Sequence, residues 1–164
     1  MDDNKSTMPP QAQHAPARDA SSSWASSAAV RRSMRGNRSS DTLPELAIRS
    51  ALHALGLRFR VDARPDPTVP RRADVVFRGP RIAVFVDGCF WHGCPEHYRP
   101  PATNPRYWID KVSINRARDL DTDRRLNATG WRTIRVWEHE PVRQAVARIR
   151  AAHADLSGRR RPDR

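Results

Sequence analysis

Lysine is nearly missing from this chain: Lys5 and Lys111 are the only two among 30 basic residues. Arginine is the better bidentate ligand for phosphate and guanine, but a GC-rich genome produces the same bias, so the preference decides nothing. Cysteine is equally scarce. Cys89 and Cys94 allow one disulfide at most, and they bracket aromatics and a histidine rather than bridging distant segments. No apolar run approaches membrane-spanning length, and the N-terminus lacks the apolar core of a signal peptide. No internal repeat is visible. These absences point to a soluble protein in a reducing cytosol.

What the chain does have is positive charge. A net charge of +12 and a pI near 11.4 imply a polyanionic partner, most plausibly nucleic acid. The length of 164 residues suits one domain plus a tail, and a domain of that size buries a substantial core. Residues 1–28, rich in Ser, Ala, Pro and Gln, read as a disordered tail. Residues 29–40, with Arg31, Arg32, Met34, Arg35 and Arg38, read as a basic arm suited to lie along phosphates. The ordered domain is expected over 41–155, with residues 156–164 a second disordered basic tail.

Within the domain, Thr42-Leu43-Pro44-Glu45 has capping-box form with Pro in the first turn. Ala47, Ile48, Ala51, Leu52 and Leu55 line one face of a helix that Gly56 can end. Strands are expected at 57–61, at 74–77 and at 82–86, the last two joined by the turn Arg78-Gly79-Pro80-Arg81. A surface helix follows from Tyr107 to about Thr129, then a strand from Trp131 to Trp137 with Ile134 and Val136 on one face. Val142, Val146 and Ile149 mark a closing helix. Antiparallel strands followed by a strand-helix-strand return imply an α/β fold, a mixed central sheet flanked by helices.

The chemistry concentrates in Phe85-Val86-Asp87-Gly88-Cys89-Phe90-Trp91-His92-Gly93-Cys94-Pro95-Glu96-His97. Cys89, Cys94 and His97, with His139 after the fourth strand, offer two thiolates and two imidazoles, a set that suits structural tetrahedral Zn²⁺. The competing reading is two buried free cysteines beside scattered surface histidines. Asp74 is either a turn or edge residue or a carboxylate that coordinates Mg²⁺. His92 is either a packed histidine or a general base titrating near neutrality. Phe90 and Trp91 cannot both point inward from an extended loop, so one of them is open to stacking on bases. Capping alone explains Glu45.

Several segments together resemble the very short patch repair DNA mismatch endonucleases. They are Asp41-Thr42-x-Pro44-Glu45-Leu46, Arg72-x-Asp74-Val75-Val76-Phe77, and Phe85-Val86-x-Gly88-Cys89-Phe90-Trp91-His92. Tyr107-Trp108…Lys111…Asn115…Arg118-Asp119 and Gly130-Trp131-Arg132…Val136-Trp137-Glu138 continue the match over about residues 30 to 142. The resemblance implies a restriction-endonuclease-like fold and Mg²⁺-dependent nicking 5′ of the thymine in T·G mismatches left by 5-methylcytosine deamination. By the same resemblance, Asp74 and the backbone carbonyl of Val86 hold Mg²⁺, His92 is the general base, and Glu45 assists. Phe90 and Trp91 intercalate from the major groove and Met34 from the minor groove. It further implies a bacterial, cytoplasmic, nucleoid-associated monomer, with mismatch-repair proteins as candidate partners. Two departures stand out. Asp87 occupies a position where a histidine is often found, and it could add a metal ligand or face solvent. The cysteine and histidine ligands of the zinc set are exchanged among its positions. Two other readings compete: a non-catalytic zinc-stapled module that binds distorted DNA, and a restriction-type nuclease of the same fold.

Overall fold

A computed structural model describes residues 40–158. The expected tail, the basic arm with Met34, and residues 159–164 lie outside the described residues. Among the described residues, three helices, α1 (Leu43–Ala54), α2 (Pro105–Ala128) and α3 (Val142–Gly158), flank four strands. These are β1 (Arg60–Ala63), β2 (Ala73–Phe77), β3 (Ile82–Asp87) and β4 (Arg132–Trp137). The sheet order is β1-β2-β3-β4. The pairs β1–β2 and β2–β3 are antiparallel, and β3–β4 is parallel. The fold is thus α/β with a mixed sheet, as the sequence pattern implies.

Side-chain alternation splits the core into two layers. On one face Val75, Phe77, Ile82, Val84 and Val136 pack against Ile48 and Leu52 of α1 and Ala145, Val146 and Ile149 of α3. On the other, Val76, Ala83 and Phe85 meet Leu126 of α2, with Trp131 and Val69. The β2–β3 turn falls at residues 78–81, with Arg81 in the left-handed region at φ 55°. His53 and His153 both pack with the Phe59–Phe77 pair, at centroid distances of 4.4 Å to Phe59 and 5.0 Å to Phe77.

Three expectations need correction. The first strand begins at Arg60, not Leu57, because ladder pairing starts only at Arg60↔Val76; Leu57 and Phe59 are instead an extended lead-in packed on the core. The Thr42 hydroxyl does not cap the backbone. It donates to Glu45 Oε1 at 2.9 Å, while Glu45 Oε2 accepts the Asp41 N–H at 2.9 Å. Finally, α3 continues to Gly158, past the expected domain end, because Leu156 still packs against the core. The end of α1 is as expected: Gly56 N–H bonds the His53 carbonyl and Leu57 N–H that of Leu52, a Schellman closure around Gly56 at φ 76°.

Candidate active site

The strand ladder itself creates the first element of the site. The β2–β3 pairing runs from Phe77↔Ile82 to Val75↔Val84, while β3 continues alongside β4 to Asp87. The two strands part at Asp74, and its Oδ2 accepts the Val86 N–H at 2.7 Å in place of a backbone partner. Burial, aided by the charges of Glu45 and Asp87, raises the Asp74 carboxyl to about 6, although the Val86 hydrogen bond and Arg49 pull the other way. Glu45 is only 4% exposed. Besides Thr42 and Asp41, it accepts from Arg49 Nη2 at 2.8 Å, and Arg49 also binds Asp41.

Asp87 closes the far side. It does not face solvent: it is 5% exposed, and both its oxygens accept from Arg135 Nη1 at 2.9 Å. Burial raises its pKa, and the Arg135 charge partly offsets this. With His92 and Asp119, Asp87 also forms a group whose candidate metal-ligand atoms lie within 4.8 Å of one another. Its Oδ1 lies 3.6 Å from His92 Nδ1. The His92 ring is fixed by Asp119, whose Oδ2 is 2.6 Å from Nδ1. Burial works to lower the His92 pKa, but the Asp119 hydrogen bond and the charges of Asp87 and Asp119 outweigh it, and the net shift is upward. Because Nδ1 is occupied, Nε2 is the ring nitrogen left for a proton from outside. Trp91, His92, Asn115, Arg118 and Asp119 line a cleft of about 200 Å³ here.

Next to this lies the sulfur–imidazole cluster. The ligand atoms of Cys89, Cys94, His97 and His139 all fall within 4.8 Å of one another. Cys89 Sγ is 3.0 Å from His139 Nδ1 and 3.9 Å from His97 Nδ1. Cys94 Sγ is 3.7 Å from His97 Nδ1 and 3.8 Å from His139 Nδ1. Tetrahedral zinc places sulfur and nitrogen ligands roughly 3.6 Å apart, so the donor set fits. The cysteines are free thiols, not a disulfide. Parallel pairing brings the set together: β3 and β4 end at the same edge, so residues about 50 apart in sequence become neighbours. Glu138 Oε1 accepts the Cys89 N–H at 2.7 Å, and Asn115 Nδ2 donates to the Trp91 carbonyl at 2.8 Å. The loop is thereby pinned to β4 and α2. Gly93 sits at φ +65°, where a Cβ would come 2.5 Å from Val112 Cγ1. Only glycine lets the loop approach α2 this closely.

Phe90 and Trp91 are both half-buried. They share one cluster, with centroids 5.1 Å apart, and Trp108 of α2 lies 5.2 Å from Phe90 and 6.1 Å from Trp91. The cluster thus has packed edges and partly open faces.

The fold therefore gathers Asp74, Val86, Glu45 and His92 around the end of β3 and the zinc-type cluster beside it. Sequence reasoning gave no role to Asp119, Asp123, Arg135, Arg49 or Trp108. The i, i+4 carboxylates of α2 and an arginine between Ile134 and Val136 on a strand were the available signals. Among the described residues, no helix is long and apolar enough to cross a membrane.

A mixed sheet flanked by helices, with a half-buried carboxylate where two strands part, defines a restriction-endonuclease-like α/β protein. A family model of the DNA mismatch endonuclease Vsr matches residues 26–97. The type II nicking enzyme V.NaeI of Lentzea aerocolonigenes is 48% identical over 120 residues, covering 72% of this chain and 72% of that one. The type II nicking enzyme V.XorIIP of Xanthomonas oryzae is 43% identical over 104 residues, 63% of this chain and 74% of that protein. The DNA mismatch endonuclease Vsr of Escherichia coli is 37% identical over 108 residues, 65% and 67% of the two chains. The chain belongs to the Vsr family of DNA endonucleases.

Proposed function

We propose that this endonuclease nicks one strand 5′ of the thymine in T·G mismatches, with Mg²⁺ at Asp74 and structural Zn²⁺ at Cys89, Cys94, His97 and His139. The observation that carries the reading is the Asp74 carboxylate at the parting of β2 and β3, bonded to the Val86 N–H, with His92 held by Asp119 in the loop that follows β3. In an extended strand a residue's N–H and C=O point to the same edge, so the Val86 carbonyl faces the same gap and supplies a second hard oxygen. A bound Mg²⁺ would neutralise charge that develops on the scissile phosphate.

The remaining chemistry belongs to side chains. His92 Nε2 takes the proton of the attacking water, and Asp119 holds the ring and its tautomer. Glu45, held by Arg49, keeps the acidic centre in place from the α1 side. Phe90 and Trp91, backed by Trp108, wedge beside the mismatch, where unstacking costs less than in a fully paired duplex. The arm carrying Met34 contributes from the minor groove.

Nicking of T·G, T·A and C·G duplexes, with and without Mg²⁺, tests the reading. Nicks confined to the T·G duplex with Mg²⁺ are expected, and Asp74→Ala is expected to abolish them while DNA binding persists. Binding without any cleavage would point to a non-catalytic DNA-binding module. Double-strand cutting of fully paired DNA would point to a restriction-type nuclease.

A further inference from the structure

Helix α2 is 24 residues long, yet only Val112, Thr122 and Leu126 on it are buried. Val112 meets the loop at Gly93, and Leu126 joins the core near the helix C-terminus. Between them, one guanidinium ties α2 to the sheet. Arg135 Nε donates to Asp123 Oδ2 at 3.0 Å, and Nη2 donates to the Asp119 carbonyl at 3.3 Å and lies 3.3 Å from Asp119 Oδ1. Nη1 spans both oxygens of Asp87, and the guanidinium stacks 4.9 Å from the Phe85 ring centroid.

The Asp119 carboxylate is thus held from two sides, Oδ1 by Arg135 and Oδ2 by His92. We propose that Arg135 is a positioning residue for the nicking reaction: it locks Asp119, and through it the His92 ring, onto the sheet. The fork shape matters as much as the charge, because three planar donors address three carboxylates in fixed directions. A lysine keeps the charge but satisfies one direction at a time. The inference rests on reading His92 as the base.

The test is single-turnover nicking of a T·G duplex with Mg²⁺ over a range of enzyme concentrations, with thermal melts alongside. The proteins are the full chain, Arg135→Lys, Asp123→Asn and His92→Ala. Misplacing a reacting group by about 1 Å costs on the order of 10²-fold in rate, and Arg135→Lys is expected to lose about that in maximal rate. Its half-saturating concentration should stay unchanged, because the DNA-contacting surface is intact. Asp123→Asn frees only the Nε arm and should show the same split with a smaller loss. Proton NMR supplies a readout that a merely structural role would not move. The short His92–Asp119 hydrogen bond should give a low-field resonance, absent in His92→Ala and displaced in Arg135→Lys and Asp123→Asn. If Arg135→Lys does not fold, Asp123→Asn carries the same comparison. Wild-type maximal rates and an unmoved resonance in the folded variants, with His92→Ala inactive, would overturn the inference. Wild-type nicking by His92→Ala would instead remove the reading on which it rests.

Discussion

Asp74 keeps its proton to about pH 6, where an ordinary aspartate has long lost it. A metal ion at the site proposed for Asp74 must displace that proton. Apparent Mg²⁺ affinity is therefore expected to be flat above about pH 6 and to fall up to tenfold per pH unit below it, as measured by calorimetric titration. The metal-free protein should move in the opposite sense. The folded state binds the Asp74 proton more tightly than the unfolded chain, so this residue's contribution to stability is lost as pH rises through about 6. Melting temperature against pH, compared with Asp74→Asn, checks the sign. His92 adds a kinetic counterpart. Its pKa is raised above that of an ordinary imidazole by the Asp119 hydrogen bond and the neighbouring carboxylates, so the acid limb of the rate profile should lie above the usual histidine range. Asp119→Asn should move the limb downward and lower the plateau by about 10²–10⁴-fold. Little of this chemistry was legible in the sequence. Asp74 stood out as an isolated carboxylate opening an apolar strand, but its role needed the family resemblance. Asp119 and Asp123 look like part of a solvated helix face until Arg135, from another element, is placed among them.

At the level of elements, alternation and punctuation were sufficient for the buried strands β2 and β3 and for β4, which carries Ile134 and Val136 on one face. β2, β3 and β4 fell close to their expected limits, and the Gly- and Pro-free stretch became α2. β1 was misplaced because its own residues are largely exposed, while the apolar pair that carries the pattern, Leu57 and Phe59, packs on the core ahead of the ladder. The loop after β3 was legible because its sulfur and imidazole groups are close in sequence; His139 depended on where β4 ended. Gly93 was not singled out, because close approach to Val112 is a tertiary fact. Gly93→Ala should destabilise by about 2–4 kcal/mol, combining left-handed strain with overpacking. Urea unfolding measures this, and Val112→Ala in the same chain should recover part of it. Removing the proposed zinc with a chelator should lower the melting temperature and loosen the Phe90–Trp91 cluster, read by tryptophan fluorescence. Structural zinc contributes on the order of 10 kcal/mol, too much for this loop's sparse apolar contacts to replace.

At the scale of the whole molecule, a net charge of +12 makes DNA affinity a function of salt. Each neutralised phosphate contributes roughly −0.9 to the slope of log K against log salt. The proposed arm, residues 29–40, carries Arg31, Arg32, Arg35 and Arg38. Its deletion should flatten that slope by up to about 3–4, with the nicking chemistry of bound DNA little changed. Fluorescence anisotropy across a salt series gives the slope directly, and an unchanged slope would remove the arm from the contact surface.

The parallel pairing of β3 with β4 joins residues made early in synthesis to residues made some 50 positions later. A ribosome releases Asp74, the loop to His97 and then α2 well before Arg135 and His139. Until β4 has docked beside β3, the proposed zinc set lacks His139, and Asp119 lacks the Arg135 contact proposed to hold His92. A chain that stops before Arg132 is therefore expected not to nick T·G duplexes, and nicking by such a chain would remove both proposed roles.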